Sequence, residues 1–189
     1  MSDTLKALKH EFGEAILETV EFRGEETAII AKVQALSVFE FCRDKLEFDY
    51  LIDISSLDLL GQEPRWEMVY ELCTLGNGAN QHLRIKFKVE EDEKVESVTS
   101  LWPTAGWHER EVYDMMGIEF EALADHRRIL MWEGYPHFPL RKDFPLAGRP
   151  TDLPDVAFTE KAPLEGGPFV TSPTAASTTH REPRSRDFD

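Results

Sequence analysis

The sequence predicts an α+β domain: a mostly antiparallel sheet with helices on one face, followed by an extended C-terminal arm. Three observations lead there. Apolar residues at helical and at alternating spacing succeed one another in the order helix, two strands, helix, three strands, helix, so hairpins and helices are segregated. No segment of 20 to 50 residues repeats, which excludes a solenoid. From Pro145 onward lie seven of the eleven prolines, and the apolar periodicity stops.

Each element has its own local cause. Leu5, Leu8 and Phe12 have helical spacing behind Ser2 or Asp3 as the cap, and Gly13 ends that helix. Ile16 to Arg23 is expected as a strand with Ile16, Val20 and Phe22 on one face. Gly24-Glu25-Glu26 makes the turn, and Thr27 to Val33 returns as a largely apolar strand. Ser37 with Glu40 has the spacing of a capping box, with Leu36 and Phe41 as its staple, and starts a helix presenting Val38, Phe39, Cys42 and Leu46. Phe48, Tyr50, Ile52 and Ile54 alternate with Asp49 and Asp53, the pattern of a half-buried strand.

The clearest hairpin follows. Trp66, Met68, Tyr70 and Leu72 share one strand face, and Leu83, Ile85, Phe87 and Val89 share one on the return strand after Gly76-Asn77-Gly78-Ala79-Asn80. Acids on the first strand oppose Arg84, Lys86 and Lys88 on the second, which suits cross-strand pairing on a solvated face. Glu90 to Glu96 is expected as an exposed acidic turn, and Ser97 to Trp102 as a short helix that breaks at Pro103. The domain spans 1–146. The segment 147–189 is a Pro-rich arm, expected to be largely disordered without partners, with Val156, Phe158, Leu164, Phe169 and Val170 as apolar anchors.

The chain turns on Trp107 to Leu146. Its helix places Arg110, Glu111 and Asp114 on one arc beside Trp107, and Val112, Met115 and Met116 opposite, with Tyr113 flanking. Gly117 ends the helix in the left-handed conformation, with Ile118 folding back as its apolar contact. Glu109 falls on the apolar side, where an unpaired carboxylate is costly. It is therefore expected to be buried and bonded to Arg127 or Arg128. The following segment is basic: Arg127, Arg128, Arg141, Lys142 and Arg149 stand against only Glu133 and Asp143. Arg141, Lys142 and Asp143, held between Pro139 and Pro145, are expected to contact a neighbouring polypeptide.

Composition excludes several functions. A net charge of −15 and a pI near 4.8 oppose binding to nucleic acid or to an anionic membrane surface. No apolar run approaches the roughly 20 residues that span a bilayer, and the N-terminus shows neither a signal core nor an Arg-rich leader. Cys42 and Cys73 stand alone in apolar contexts and cannot hold an iron–sulfur cluster, which takes about four thiolates. The six histidines are dispersed. His108-Glu109 has Val112 where the zinc-peptidase pattern puts its second histidine. Glu109 and Glu111 lie about 160° apart on the wheel, too far round for an acid–base pair. No activated nucleophile and no phosphate-binding glycine loop is present. Trp102, Trp107 and Trp132 flank the basic segment as core and interface anchors.

Three blocks carry a family resemblance. Glu109-Arg110-Glu111 with Asp114-Met115 and Gly117-Ile118, then Arg127-Arg128-Ile129-Leu130, then Pro139-Leu140-Arg141-Lys142-Asp143-Phe144-Pro145-Leu146, resemble the C subunit of respiratory complex I in order and spacing. The chain departs from that pattern at Glu121 to Asp125 and at Pro136 to Pro139. The resemblance implies a peripheral-arm component of a proton-translocating NADH–quinone oxidoreductase, on the cytoplasmic side of the bacterial inner membrane. It implies no cofactor in this chain, with FMN and iron–sulfur clusters in partner polypeptides. The implied partners are the quinone-site D subunit and the iron–sulfur B and I subunits. The implied roles of Glu109, Arg110, Glu111, Asp114, Arg127, Arg128, Arg141, Lys142 and Asp143 are structural and interfacial. Three other possibilities compete: the same module in a membrane-bound hydrogenase or a ferredoxin- or F420-dependent relative, a non-respiratory binding module, and a hydrolase using His108, Glu109 and Asp114.

Overall fold

A computed structural model describes residues 2–76, 81–132 and 134–145. The arm expected over 147–189, its apolar anchors and Glu133 lie outside the described residues.

Helix α1 (Asp3–Phe12) starts where Ser2 Oγ accepts the Leu5 N–H at 3.2 Å and stops at Gly13, whose φ is +50°. Strands β1 (Ile16–Phe22) and β2 (Glu25–Ile30) form a hairpin closed by Arg23 and Gly24. A 3-10 turn at Lys32–Gln34 replaces the end of the second strand and leads into α2 (Ala35–Asp44). Helix α2 thus begins two residues before Ser37, so the expected Ser37–Glu40 box is not its cap, and its N-cap Gln34 makes no side-chain cap bond. Strands β3 (Tyr50–Asp58), β4 (Trp66–Cys73) and β5 (His82–Val89) follow, then β6 (Val95–Glu96), α3 (Ala105–Met116) and β7 (Phe120–Glu121).

The main sheet has the order β1-β2-β5-β4-β3. Three of its pairings are antiparallel and one, β2 with β5, is parallel, which gives the mostly antiparallel α+β architecture. The β4–β5 register pairs Glu67 with Lys88 and Glu71 with Arg84. On the side away from the helices Lys86 Nζ donates to Glu67 at 2.9 Å, and Arg84 Nε donates to Glu71. The other side is the core. There Phe39 of α2 lies against Tyr70 at 4.5 Å between ring centroids and edge-on to Trp102 at 6.1 Å.

Two irregularities overturn expected faces. A register shift at Leu17 leaves Ile16 inward while Val20 and Phe22 turn to the opposite side. A second shift at Ile52 buries Leu51 and Ile54 and leaves Tyr50 and Ile52 exposed. One inserted residue reverses every later side chain, because the strand period is two. Ser97 to Trp102 is a turn and not a helix, with Leu101 N–H and Trp102 N–H both donating to Val98 O. The acidic stretch before it is tied down at its end, since β6 pairs in parallel with β7.

Candidate functional site

The polar residues of interest converge on α3 and on the segment from 125 to 143 that wraps it. Glu109 has no exposed surface. Its Oε2 accepts the Ser97 hydroxyl at 2.7 Å and its Oε1 accepts the Val98 N–H at 2.8 Å. The expected bond to Arg127 or Arg128 is therefore wrong: the partners are neutral and lie upstream, in the turn before α3. The helix wheel located the burial correctly but could not show which loop covers that face. Burial pushes the Glu109 carboxyl up to about 6, with the two donors pulling partly against it. Beside it the Tyr70 hydroxyl is fully buried and makes no hydrogen bond. Burial first, and the Glu109 charge second, hold that phenol well above its usual range.

Arg128 goes to Asp114 instead. Asp114 is also without exposed surface, although the wheel sets it on the polar arc. Its Oδ2 accepts three successive backbone N–H groups, from Ile129 at 3.0 Å, Leu130 at 2.7 Å and Met131 at 2.8 Å. Its Oδ1 accepts Arg128 Nη1 at 2.5 Å. Three consecutive amides converging on one oxygen form an anion nest, here filled by the protein's own carboxylate. Burial alone would raise the Asp114 carboxyl, but Met131 N–H, Arg128 and the other two amides outweigh it and hold it below the usual range. The Arg128 guanidinium is in turn stacked within 5.0 Å of the Phe138 ring and 5.6 Å of the Tyr135 ring.

Arg110 fastens the start of the same loop, donating from Nε to Arg127 O at 2.9 Å and from Nη2 to Arg128 O at 3.0 Å. It lies over Trp107, 5.3 Å from the ring centre. Arg127 pairs with Asp125 at 2.8 Å. Glu111 is exposed, on the side of α3 away from Glu109.

The Arg141-Lys142-Asp143 block is anchored inside its own domain by a residue the sequence did not single out. Arg65 is buried, grips Asp58 with two bonds of 3.0 Å, and reaches Glu91 at 2.7 Å and Asp143 at 3.2 Å. Asp58 first, and Asp143 after it, hold Arg65 above its usual range against the opposing effect of burial. Asp58 also accepts the Lys142 N–H at 2.8 Å. Arg141 Nε donates to Met116 O at 2.6 Å, and its guanidinium lies 4.4 Å from the Phe138 ring centre. Burial, then the nearby Arg65 charge, lower its pKa. Thus Arg141 and Asp143 are engaged internally, while the Lys142 side chain is exposed. Nothing in the periodicity marks Arg65, because its partners lie 7, 26 and 78 positions away.

Among the described residues no group of three or more His, Cys, Asp or Glu side chains could hold a metal ion. With no exposed surface, neither Glu109 nor Asp114 meets a solute. Each buried carboxylate instead fixes a loop: Glu109 the turn before α3, Asp114 the segment after it.

Fold and clusters together define an α+β domain built around one helix whose acids lock the loops on either side of it. Residues 28–150 match the family described as "Respiratory-chain NADH dehydrogenase, 30 Kd subunit", and the chain belongs to that family, that of the C subunit of respiratory complex I. It is 42% identical over 142 residues to the C subunit of NADH-quinone oxidoreductase from Geotalea uraniireducens, covering 75% of this chain and 85% of that one. It is 41% identical over 160 residues to the corresponding protein of Roseiflexus sp., covering 82% and 87%. Among solved structures it resembles a chain of the membrane-bound sulfane sulfur reductase, an archaeal respiratory membrane complex, with a TM-score of 0.62. That match covers 75% of this chain and 84% of the other at 21% identity, and it shows a shared fold. No helix among the described residues is long and apolar enough to cross a membrane.

Proposed function

We propose that this chain is a cofactor-free structural component in the peripheral arm of an NADH–quinone oxidoreductase, on the cytoplasmic side of a bacterial inner membrane. FMN and iron–sulfur clusters sit in its partners, and the assembly passes electrons from NADH to quinone and translocates protons. In this reading the outer face of α3 and the segment 127–142 dock onto the quinone-site D subunit, with the iron–sulfur B and I subunits nearby.

One observation carries the proposal. The loop after Arg127 is pinned by the three amides on Asp114 and by Arg110 on its carbonyls, yet Leu130, Trp132 and Leu140 are exposed, as is Trp107 on the same side of α3. Holding a backbone rigid while apolar side chains face outward lowers the entropy lost on docking. The exposed Lys142 side chain at its rim suits a partner with an acidic border.

The test is a Leu130→Glu, Lys142→Glu double substitution in the tagged chain, purified from solubilised membranes. The melting temperature of the free chain stays within about 2 °C, because both side chains are exposed. The quantity of assembled enzyme falls, and turnover per assembled complex is kept. Full assembly with a large loss of turnover would place this surface in the catalytic path and remove the proposal. The fold shared with the archaeal complex favours a second reading, the same module in a related membrane-bound oxidoreductase. Co-purification of a flavin-bearing NADH-input module separates the two.

A further inference from the structure

We propose that Glu109 and the turn from Ser97 to Trp102 form a proton-operated latch: the neutral carboxyl keeps the turn shut, and the ionised one lets it open to water. The latch lies inside this chain and does not depend on what the chain docks onto.

Geometry makes the motion local. Glu109 has no exposed surface, and its bonds come from two neutral donors, the Ser97 hydroxyl at 2.7 Å and the Val98 N–H at 2.8 Å. Among the described residues no cation bonds it. A buried carboxylate in that position is costly, and hydrating it removes the cost. Water is near, because Thr99 is half-buried and Ser100 is exposed. Both ends of the turn are tied by bonds that Glu109 does not make. Ser97 N–H donates to Glu121 O at 3.0 Å, and Trp102 Nε1 donates to Phe48 O at 3.1 Å. Only the middle has to lift.

The charge that operates the latch is that of Glu109. The titratable group facing it is Tyr70 on β4, whose hydroxyl makes no hydrogen bond and is kept neutral by burial. From α2, Arg43 reaches the outside of the turn, donating to Ser100 O at 3.4 Å while paired with Asp44. On β3, Asp53 pairs with His108 at 3.2 Å, and on α3 Tyr113 lies edge-on to the His126 ring. Burial raises the Glu109 carboxyl to about 6, and only Ser97 and Val98 pull against it. The neutral acid donates from Oε2 to Ser97 Oγ, whose own proton turns to Thr99 Oγ1, 2.8 Å away, so the shut form keeps both bonds. With the turn open the carboxyl returns to its ordinary 4.5. The open population therefore grows as pH rises, by about thirtyfold in all and about eightfold between pH 5 and pH 8.

The experiment is amide hydrogen exchange on the full-length chain at pH 5 and pH 8, corrected for the intrinsic pH dependence of exchange. The Val98 amide opens about eightfold more often at pH 8, by a motion that low urea does not change. Ile85, on the central strand β5, exchanges instead through urea-sensitive unfolding of the whole domain. In Glu109→Gln the Val98 opening is the same at both pH values. Equal opening at both pH values in the parent overturns the proposal. So does a Val98 opening as sensitive to urea as that of Ile85, which would show that the turn leaves only with the whole fold. A pH dependence that persists in Glu109→Gln belongs to another group and overturns the proposal too. If that variant folds poorly, the pH and urea comparisons on the unaltered chain decide by themselves.

Discussion

Replacing Glu109 with Gln should stabilise the protein at neutral pH, although it alters a fully buried side chain. The carboxyl is raised from its ordinary 4.5 to about 6 because burial disfavours the charge and no cation offsets it. An acid raised in the folded state has its stability fully present below pH 4.5, and loses it as pH climbs through 6. That difference corresponds to about 2 kcal/mol. A neutral amide avoids this cost and keeps both bonds: its oxygen accepts from Val98 N–H, and its NH2 donates to Ser97 Oγ, whose own proton can then turn to Thr99 Oγ1, 2.8 Å away. Urea unfolding of the full-length chain should therefore show Glu109→Gln about 1–2 kcal/mol more stable than the parent at pH 7.5 and equal to it near pH 4.5. At about 2–4 °C per kcal/mol, that is a rise of several degrees in melting temperature. Glu109→Ala should instead cost about 3–4 kcal/mol near pH 4.5, since two buried donors lose their acceptor and a cavity opens, and about 2 kcal/mol less at pH 7.5, where the parent itself carries the charge cost. The pH-dependent component must vanish in the Gln form. If Gln is as damaging as Ala, or if the parent's pH profile persists in it, Glu109 is not an uncompensated buried charge and this account fails.

Asp114→Asn should cost about 3–5 kcal/mol in chemical unfolding, because it strands Arg128 without its counter-charge, while Glu111→Ala on the exposed side should change stability by less than about 0.5 kcal/mol. Gly117 has φ +76°, and a Cβ there would sit 2.7 Å from the Phe138 ring and press on the Arg141 guanidinium, so Gly117→Ala should lower stability by about 1–3 kcal/mol and loosen the 138–141 segment to protease. Asp58 is held below its usual 3.8 chiefly by Arg65 and the Lys142 N–H, which outweigh its burial. Its contribution is therefore present above that value and lost as pH falls below it, and Arg65→Met should flatten the acid limb of the unfolding profile below pH 4.

Much of the framework was legible in the residues themselves. The β4–β5 hairpin, the Ser2 cap and the Gly13 and Gly117 stops are local features, set by period, side-chain reach and the freedom of glycine at positive φ. The burial of Glu109 was also legible, because helical phase depends only on spacing. Its partner was not, and neither was the burial of Asp114. Phase gives the direction of a side chain along one helix but not which loop crosses in front of it. The strand faces of β1 and β3 failed for a related reason: one inserted residue at Leu17 or at Ile52 leaves the alternation in the sequence intact and reverses its meaning.

The sequence by itself thus determined the fold class, the family and the loop-binding helix at its centre, since each rests on contacts or patterns within a few residues. Only the tertiary structure decided which charges are spoken for. Arg128 belongs to Asp114, Arg65 gathers Asp58, Glu91 and Asp143, and Glu109 has no cation, because a buried charge is satisfied by whatever the fold brings within about 3 Å of it, however distant in the chain.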